Sequence, residues 1–201
     1  MDFKICLNNF PWNRFGTVYE TNSKELRDKF IEILDGNADT KDYEYVIDRL
    51  EHQETLYRIT PWGLKFYIYL LEEEKTDKSI LLENIKTIFE AANYNSKCDI
   101  MKKYKPTKGN LEKYEQIKKK LFDENFDGKL DAEYIKTYKA IDRRFMQIAI
   151  MDYISSKKTF FEKFINSNDS KIINSANLLV NSIKSPRKFK FIFEDGIEEE
   201  Y

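Results

Sequence analysis

The amino-acid sequence predicts an all-α fold on three observations. Only 6 glycines and 4 prolines occur among 201 residues, and this scarcity disfavours an all-β fold with many tight turns. Apolar residues recur three and four positions apart along most of the chain, which is the spacing of one helix face. Hydrophobic residues make up 41% of the chain and aromatic residues 15%, which is enough to bury a core without metal or disulfide support.

The first two predicted helices lie before the chain's single histidine. One runs from Ser23 to about Leu34 and the other from Lys41 to about His52. Ser23 is of the residue type that caps a helix start, and Gly36 is of the type that follows a helix end. Both helices carry a single apolar stripe, so each is expected to pack one face on the core.

The third predicted helix starts at Thr60 and Pro61. Threonine caps free backbone amides, and proline suits the first helical position, where its missing N–H is not needed. Apolar residues cover much of this helix up to Leu71, so we expect it to be buried. A fourth helix is predicted from about Asp77 to Ala92.

A polar, lysine-rich stretch divides the chain. Residues 98–110 are predicted to be a linker between a first helical part, 1–97, and a second, 111–186, that packs on the first. The second part is predicted to contain helices at 111–122, at 132–164 with a break near Ser155, and at 172–183. The tail, 187–201, contains FKFIF, which alternates as a short strand does.

Charge and cysteine usage bound the function classes. The net charge is −1 and lysines alternate with acids, which argues against a wholly basic nucleic-acid-binding surface but leaves a local basic patch open. Cys6 and Cys98 lack the spacing of metal ligands, and two reduced thiols are favoured over a disulfide. No signal-peptide pattern opens the sequence, and no apolar run approaches the roughly 20 residues of a membrane span. A cytoplasmic location without membrane association is expected.

His52 lies within LEHQETLYRITPWGLKFYIYLL, residues 50–71. A catalytic base needs a partner that orients it, and a metal site needs more ligands. There is no second histidine. The favoured interpretation is therefore a residue at a helix C-terminus whose ring bonds free carbonyls, with Gln53 tying the loop by side-chain bonds. Because the sequence also lacks G-x-x-x-x-G-K and G-x-S-x-G, no catalytic residue and no cofactor are predicted.

The segment DENFDGKLDAEY, residues 123–134, matches most of an EF-hand calcium loop. The matching positions are Asp123, Asn125, Asp127, Gly128 and Asp131. The twelfth position, which supplies a bidentate glutamate in EF-hands, is Tyr134. The favoured interpretation is a corner between helices, in which Gly128 makes a left-handed turn and Asp131 caps the next helix. A weak calcium site stays open as the alternative.

A set of aromatic and polar residues resembles a group of bacterial HEAT-like, or armadillo-type, repeat proteins over about residues 10–92. The residues that carry the resemblance are Trp12, Tyr19, His52, Gln53, Thr55, Tyr57, Thr60, Pro61, Phe66, Leu70 and Leu71. The chain departs from the pattern at Glu20 and Glu54, where glycines are expected. The starts of the first and third helices also lie about one such repeat apart. The resemblance implies an irregular α-α superhelix that binds proteins, and some members resemble immunity proteins of bacterial toxin systems.

The predicted function is therefore a non-catalytic protein-binding module, with an immunity-type inhibitor of a toxin as its sharpest form. The candidate partner-binding residues are Arg58, Trp62, Lys65 and Tyr69, although the aromatic residues of this segment are more typical of core. The alternative is a HEAT-like protein that binds or processes nucleic acid. It would use a concave face containing Asp48 with Arg58, Trp62 and Lys65.

Overall fold

The structure is a computed structural model, and it describes residues 3–95, 108–184, 190–192 and 198–200. These ranges contain ten α-helices and two short antiparallel sheets of two strands each. The predicted all-α class is confirmed. Within the described ranges, none of the helices has both the length and the apolarity needed to cross a membrane.

The helices before the gap are α1 (Phe3–Asn9), α2 (Lys24–Asp35), α3 (Thr40–Leu50), α4 (Thr60–Leu70) and α5 (Lys78–Asn95). The helices after it are α6 (Lys108–Leu121), α7 (Ala132–Ala140), α8 (Arg143–Ser156), α9 (Lys158–Glu162) and α10 (Ser170–Ile183). Two 3-10 turns add Trp12–Arg14 and Lys163–Asn166. The strands are β1 (Glu51–His52), β2 (Thr55–Leu56), β3 (Lys190–Ile192) and β4 (Glu198–Glu200).

Local signals set several helix ends. Gly36 follows α2 with a φ of 75°, and its amide donates to the carbonyl of Ile33, so the predicted stop is confirmed. Asp39 starts α3 with a capping box that includes Asp42. The prediction that Ser23 caps α2 is wrong, because its hydroxyl donates to the carbonyl of Trp12 at 2.8 Å and so ties the 3-10 turn to α2.

The second predicted helix, from Lys41 to about His52, extends past the observed one. Helix α3 ends at Leu50, and the chain then forms a hairpin in which β1 pairs antiparallel with β2. Pro61 occupies the first turn of α4 as predicted. Thr60 does not cap that helix, since its hydroxyl donates instead to the carbonyl of Leu50 and accepts from the amide of Tyr57.

The prediction of one helix over 132–164 is wrong. A break at Ile141 and Asp142 separates α7 from α8, and the Asp142 side chain caps α8 by accepting from the amide of Arg144. The predicted break near Ser155 matches the end of α8 at Ser156. Most of the predicted linker lies outside the described residues, and its last three residues belong to α6. The strand predicted in FKFIF is present as β3, paired with β4.

Helix α4 lies at the centre of the molecule. It packs against α2, α5, α6 and α8, and ten of its eleven residues are buried, as its all-round apolar sequence predicts. Phe66 shows how the centre is built, because its ring contacts those of Phe3, Phe10, Trp12 and Phe30. A single hydrophobic core runs from α1 to α10, so the second part packs on the first.

Candidate functional site

An open groove separates the β1–β2 hairpin from helix α5, and we call it the hairpin groove. Its volume is about 530 Å³, and it is lined by Glu51, Gln53, Glu54, Thr87, Glu90, Ala91 and Asn93. Three of these residues are glutamates, and none of the described lining residues is a lysine or an arginine. A cleft lined by one sign of charge concentrates ions of the opposite sign. The groove therefore suits a cationic group.

The turn of the hairpin places one of these glutamates in an unusual conformation. Gln53 and Glu54 have φ angles of 50° and 64°, which are the positive values that two-residue hairpin turns favour and that Asn-Gly adopts most easily. A non-glycine residue in this region costs roughly 1–2 kcal/mol. The carboxylate of Glu51 accepts from the amide of Glu54 at 2.6 Å and steadies the turn. Burial raises the pKa of Glu51, although that amide favours its charged form.

The other side of the hairpin carries the histidine. His52 Nδ1 lies 2.8 Å from the carboxylate of Asp48 and 3.4 Å from the hydroxyl of Tyr19, whose side chain is exposed. The predicted bonds from His52 to free carbonyls are thus replaced by a carboxylate partner one helical turn earlier. Nearby, the Arg49 guanidinium lies 3.2 Å above the ring centroid of Tyr45. This cluster joins α3 to the segment before α2.

Gln53 and Glu54 together show how the connection differs from the predicted loop. The sequence predicts that Gln53 ties the loop through its side chain, but its contribution is the backbone turn itself. Glu54 occupies the position where the HEAT-like pattern has glycine, and its φ of 64° is one that glycine adopts without strain. A glycine at position 54 would have indicated this turn in the sequence, but the chain has glutamate there.

Two of the four predicted partner-binding residues are used in contacts within the protein. Arg58 donates to the carbonyls of Tyr138 and Ile141 at 2.8 and 2.7 Å, and the Tyr138 hydroxyl donates back to the carbonyl of Arg58. Trp62 is fully buried and packs on the ring of Phe126. Trp62 therefore offers no surface to a partner, and the interpretation of these aromatic residues as core is confirmed for it.

Lys65 is also buried, with 1% of its surface exposed. Its ammonium donates to the carbonyls of Leu121 and Asp123, both at 2.8 Å. These carbonyls lie at the C-terminal end of α6, where the helix dipole favours a positive charge. Burial lowers the pKa of Lys65 to about 8. The structure thus gives Lys65 an internal role, and partner contacts by Arg58 and Tyr69 stay predictions.

The residues proposed for a nucleic-acid face do not form one exposed surface, because Trp62 and Lys65 are buried. Asp48 belongs to the His52 cluster on α3, whereas Arg58 holds the end of α7 and Lys65 holds the end of α6. A different place carries basic and aromatic groups together. A cavity of about 670 Å³ is lined by Gln116, Lys119, Lys120, Phe122, Asp123 and Tyr134.

The carboxylates of the calcium-like loop bond to its own backbone. Asp123 accepts from the amide of Asn125, Asp127 from that of Lys129, and Asp131 from that of Tyr134. The predicted roles of Gly128 and Asp131 are confirmed, since Gly128 has a φ of 89° and Asp131 caps α7. In the ranges that the structure describes, no three or more His, Cys, Asp or Glu residues are grouped as metal ligands would be.

One of the two cysteines, Cys6, lies in the hydrophobic core. Cys6 is a free, buried thiol whose Sγ lies 3.4 Å from the carbonyl oxygen of Phe126. Burial raises the pKa of Cys6 to about 12, so the thiol stays protonated at neutral pH. Its suggested partner, Cys98, lies outside the described residues.

The chain matches no protein-family model, no curated protein and no solved structure. The resemblance to HEAT-like repeat proteins therefore stays a prediction.

Proposed function

We propose that this chain is a non-catalytic protein-binding module whose hairpin groove receives a cationic segment of its partner. The observation that carries the proposal is the lining of the groove, which includes Glu51, Glu54 and Glu90 and no described lysine or arginine; Glu90 is itself ion-paired with Lys86, next to the lining, at 2.8 Å. A partner's lysine or arginine side chain would neutralise this charge and form charge-assisted hydrogen bonds with the carboxylates.

The conformation of Glu54 supports the same proposal. Glycine at this position would avoid the cost of a φ of 64°. Residues held in sparsely populated backbone conformations occur preferentially at functional sites. Glu54 places a carboxylate at the tip of the hairpin, beside the groove, and glycine could not supply one.

The sharpest form of the proposal is an immunity-type inhibitor of a bacterial toxin. A toxin that acts on nucleic acid needs a basic face to bind phosphates. An acidic groove would cover such a face and accelerate association by electrostatic steering. The HEAT-like resemblance supports this form, because helical repeat scaffolds present extended binding surfaces.

Affinity capture with charge-reversal variants tests the proposal. The tagged chain is used to capture partners from cells at moderate salt, and the captured proteins are identified by mass spectrometry. Glu51→Lys, Glu54→Lys and Glu90→Lys are each expected to lose the dominant partner. Glu115→Lys, an exposed position on α6 away from the groove, should retain it. Retention of the partner by all three groove variants would refute the assigned surface.

Nucleic-acid binding is the second candidate, and the cavity beside α6 favours it. Lys119 and Lys120 lie there beside the rings of Phe122 and Tyr134, and such a combination holds single strands by phosphate contacts and stacking. Capture of nucleic acid without protein, lost steeply with rising salt and abolished by Lys119→Glu with Lys120→Glu, would replace the first proposal by this one.

A further inference from the structure

The ammonium of Lys65 is a buried charge with an incomplete set of partners. It donates two hydrogen bonds to backbone carbonyls, and in the part of the chain that the structure describes it forms no ion pair with a carboxylate. An ammonium has three donors, so its third N–H has no acceptor among those residues. A buried ion without a counter-ion is costly. Two features compensate part of this cost. One is the dipole of α6, and the other is a set of three rings whose centroids lie 5.4–5.5 Å from Lys65 Nζ, those of Tyr69, Phe126 and Tyr153.

A cavity of about 200 Å³ adjoins this ammonium, and we call it the Lys65 cavity. Its lining residues are Lys65, Ile68, Tyr69, Glu72, Glu124, Tyr153, Lys157 and Phe160. The hydroxyl oxygen of Tyr69 is buried and has no hydrogen-bond partner in the described structure. Buried tyrosine hydroxyls usually find a partner. Lys65 and Tyr69, each with a buried donor that lacks an acceptor among the described residues, thus both belong to the lining of this cavity.

The charges are arranged by depth. Lys65 and Tyr153 are buried, whereas Glu72 and Glu124 are exposed. Glu124 is ion-paired with Lys157 at 2.9 Å. Ile68 and Phe160 add apolar wall. The lining therefore combines the buried Lys65 ammonium with apolar surfaces. Its outer charges, Glu72, Glu124 and Lys157, leave one net negative charge at the mouth, which disfavours ligands with several negative charges.

We propose that the Lys65 cavity binds a small organic monocarboxylate, whose oxygens accept from the Lys65 ammonium and the Tyr69 hydroxyl. Drug-sized ligands occupy cavities of roughly 300–1,000 Å³, so the ligand is smaller than these. Its apolar body packs between Ile68, Tyr153 and Phe160. This site lies on α4, α8 and α9 and does not depend on the function proposed for the hairpin groove.

Thermal unfolding with sodium benzoate tests the site. Benzoate is titrated at constant ionic strength against sodium chloride, with sodium phosphate as a second anion. Wild-type protein should show a saturable rise in Tm with benzoate, as a ligand that binds the native state produces. No rise, or an equal rise with phosphate and chloride, would overturn the proposal.

Two matched tyrosine variants distinguish benzoate binding in the Lys65 cavity from benzoate binding elsewhere on the protein. Tyr69→Phe deletes a hydroxyl that has no partner in the described structure, so Tm without ligand should be unchanged or slightly higher. Its affinity for benzoate should fall about 10-fold or more, the usual loss for one hydrogen bond to a charged group. Tyr134→Phe removes a second buried hydroxyl without a described partner, in the cavity beside α6, and should bind benzoate normally. Equal affinity of wild type and Tyr69→Phe would contradict the proposed contact.

Proton uptake gives a second readout. Burial lowers the pKa of Lys65 to about 8, and the charged or titratable groups that also act on it are Asp123, Lys157, Cys6 and Glu124. A bound carboxylate would favour the protonated amine. Calorimetric titration at pH 8.5 in two buffers of different ionisation enthalpy should therefore show proton uptake on benzoate binding. Binding without proton uptake at that pH would show that the carboxylate does not contact Lys65.

Discussion

The substitution Gly128→Ala tests how the loop after α6 closes on helix α1. Gly128 has a φ of 89°, and a Cβ at this position would lie 2.0 Å from the carbonyl oxygen of Cys6. Real Cβ atoms essentially never approach another atom closer than 3.0 Å. Because the obstacle is the backbone of α1, the loop and the helix have to separate.

The expected cost has three parts. Alanine at a positive φ costs roughly 1–2 kcal/mol. Separation also strains two contacts, the bond from Asn9 Nδ2 to the carbonyl of Asp127 at 3.0 Å and the contact of Cys6 Sγ with the carbonyl of Phe126 at 3.4 Å. Each is worth about 0.5–1.5 kcal/mol, and overpacking adds about 1–3 kcal/mol. Because the two contacts are strained rather than lost, we expect Gly128→Ala to lower the free energy of unfolding by the lower part of the summed range, about 3–5 kcal/mol.

Urea unfolding followed by circular dichroism measures this free energy. A 201-residue domain should lose roughly 6–20 °C in Tm for such a change. Gly109→Ala is the matched control, because Gly109 lies in α6, where no atom comes within 4 Å of the position that a Cβ would occupy, and the variant should gain up to about 1 kcal/mol. Asn9→Ala should cost about 1 kcal/mol. If Gly128→Ala stays within about 1 kcal/mol of wild type, the loop does not pack on α1 as described.

Glu54→Gly should raise the free energy of unfolding by about 1 kcal/mol and weaken partner capture, because it relieves a φ of 64° and removes a groove carboxylate. A less stable variant would contradict the turn geometry. Lys65→Met should cost about 2–4 kcal/mol at pH 7, because it leaves the carbonyls at the end of α6 without a donor. The folded pKa of Lys65 is about 8, whereas an unfolded lysine has about 10.4. The unfolded state thus binds more protons between these values, and the wild type should gain stability relative to Lys65→Met from pH 8 to pH 10 in urea titrations. Hydrogen bonds from Lys29 and from the amide of Asp39 lower the pKa of Asp42. Its contribution is therefore present above pH 4 and lost as the pH falls further, so Asp42→Asn should flatten the acid side of the stability profile.

Three of the positions that the sequence predicts correctly are governed by backbone conformation. Gly36 and Gly128 both have positive φ angles, and Pro61 occupies the first turn of α4. These residues restrict or extend the backbone by their covalent structure, whatever surrounds them. Local sequence is sufficient to recognise them.

Side-chain caps are less predictable, because their hydrogen bonds can go elsewhere. Ser23 and Thr60 are both of the capping type, yet their hydroxyls donate to the carbonyls of Trp12 and Leu50. Each joins two elements that lie apart in the sequence. Which acceptor such a hydroxyl finds depends on tertiary packing, and no local pattern contains that information.

The candidate site differs from the predicted one for the same reason. Residue type predicts that Trp62 and Lys65 on α4 bind a partner, but both are buried because other helices surround α4. The hairpin groove escapes prediction because its turn, Gln53-Glu54, lacks the Asn-Gly signal of a two-residue hairpin. The helix predicted in the sequence also extends to about His52, across the first strand of the hairpin. Only the folded backbone brings the hairpin glutamates opposite Glu90 of α5.

A buried lysine, not a metal ion, holds the start of the loop that has calcium-like spacing. The C-terminal carbonyls of α6 need a positive group, and the ammonium of Lys65 supplies it from the buried helix α4. The loop carboxylates are then left to cap their own amides, as Asp123 and Asp127 do. A lysine differs from a metal ion because it is covalently fixed and carries three directed donors. Two of them hold the end of α6, so the direction of the third is set by the fold before any ligand arrives.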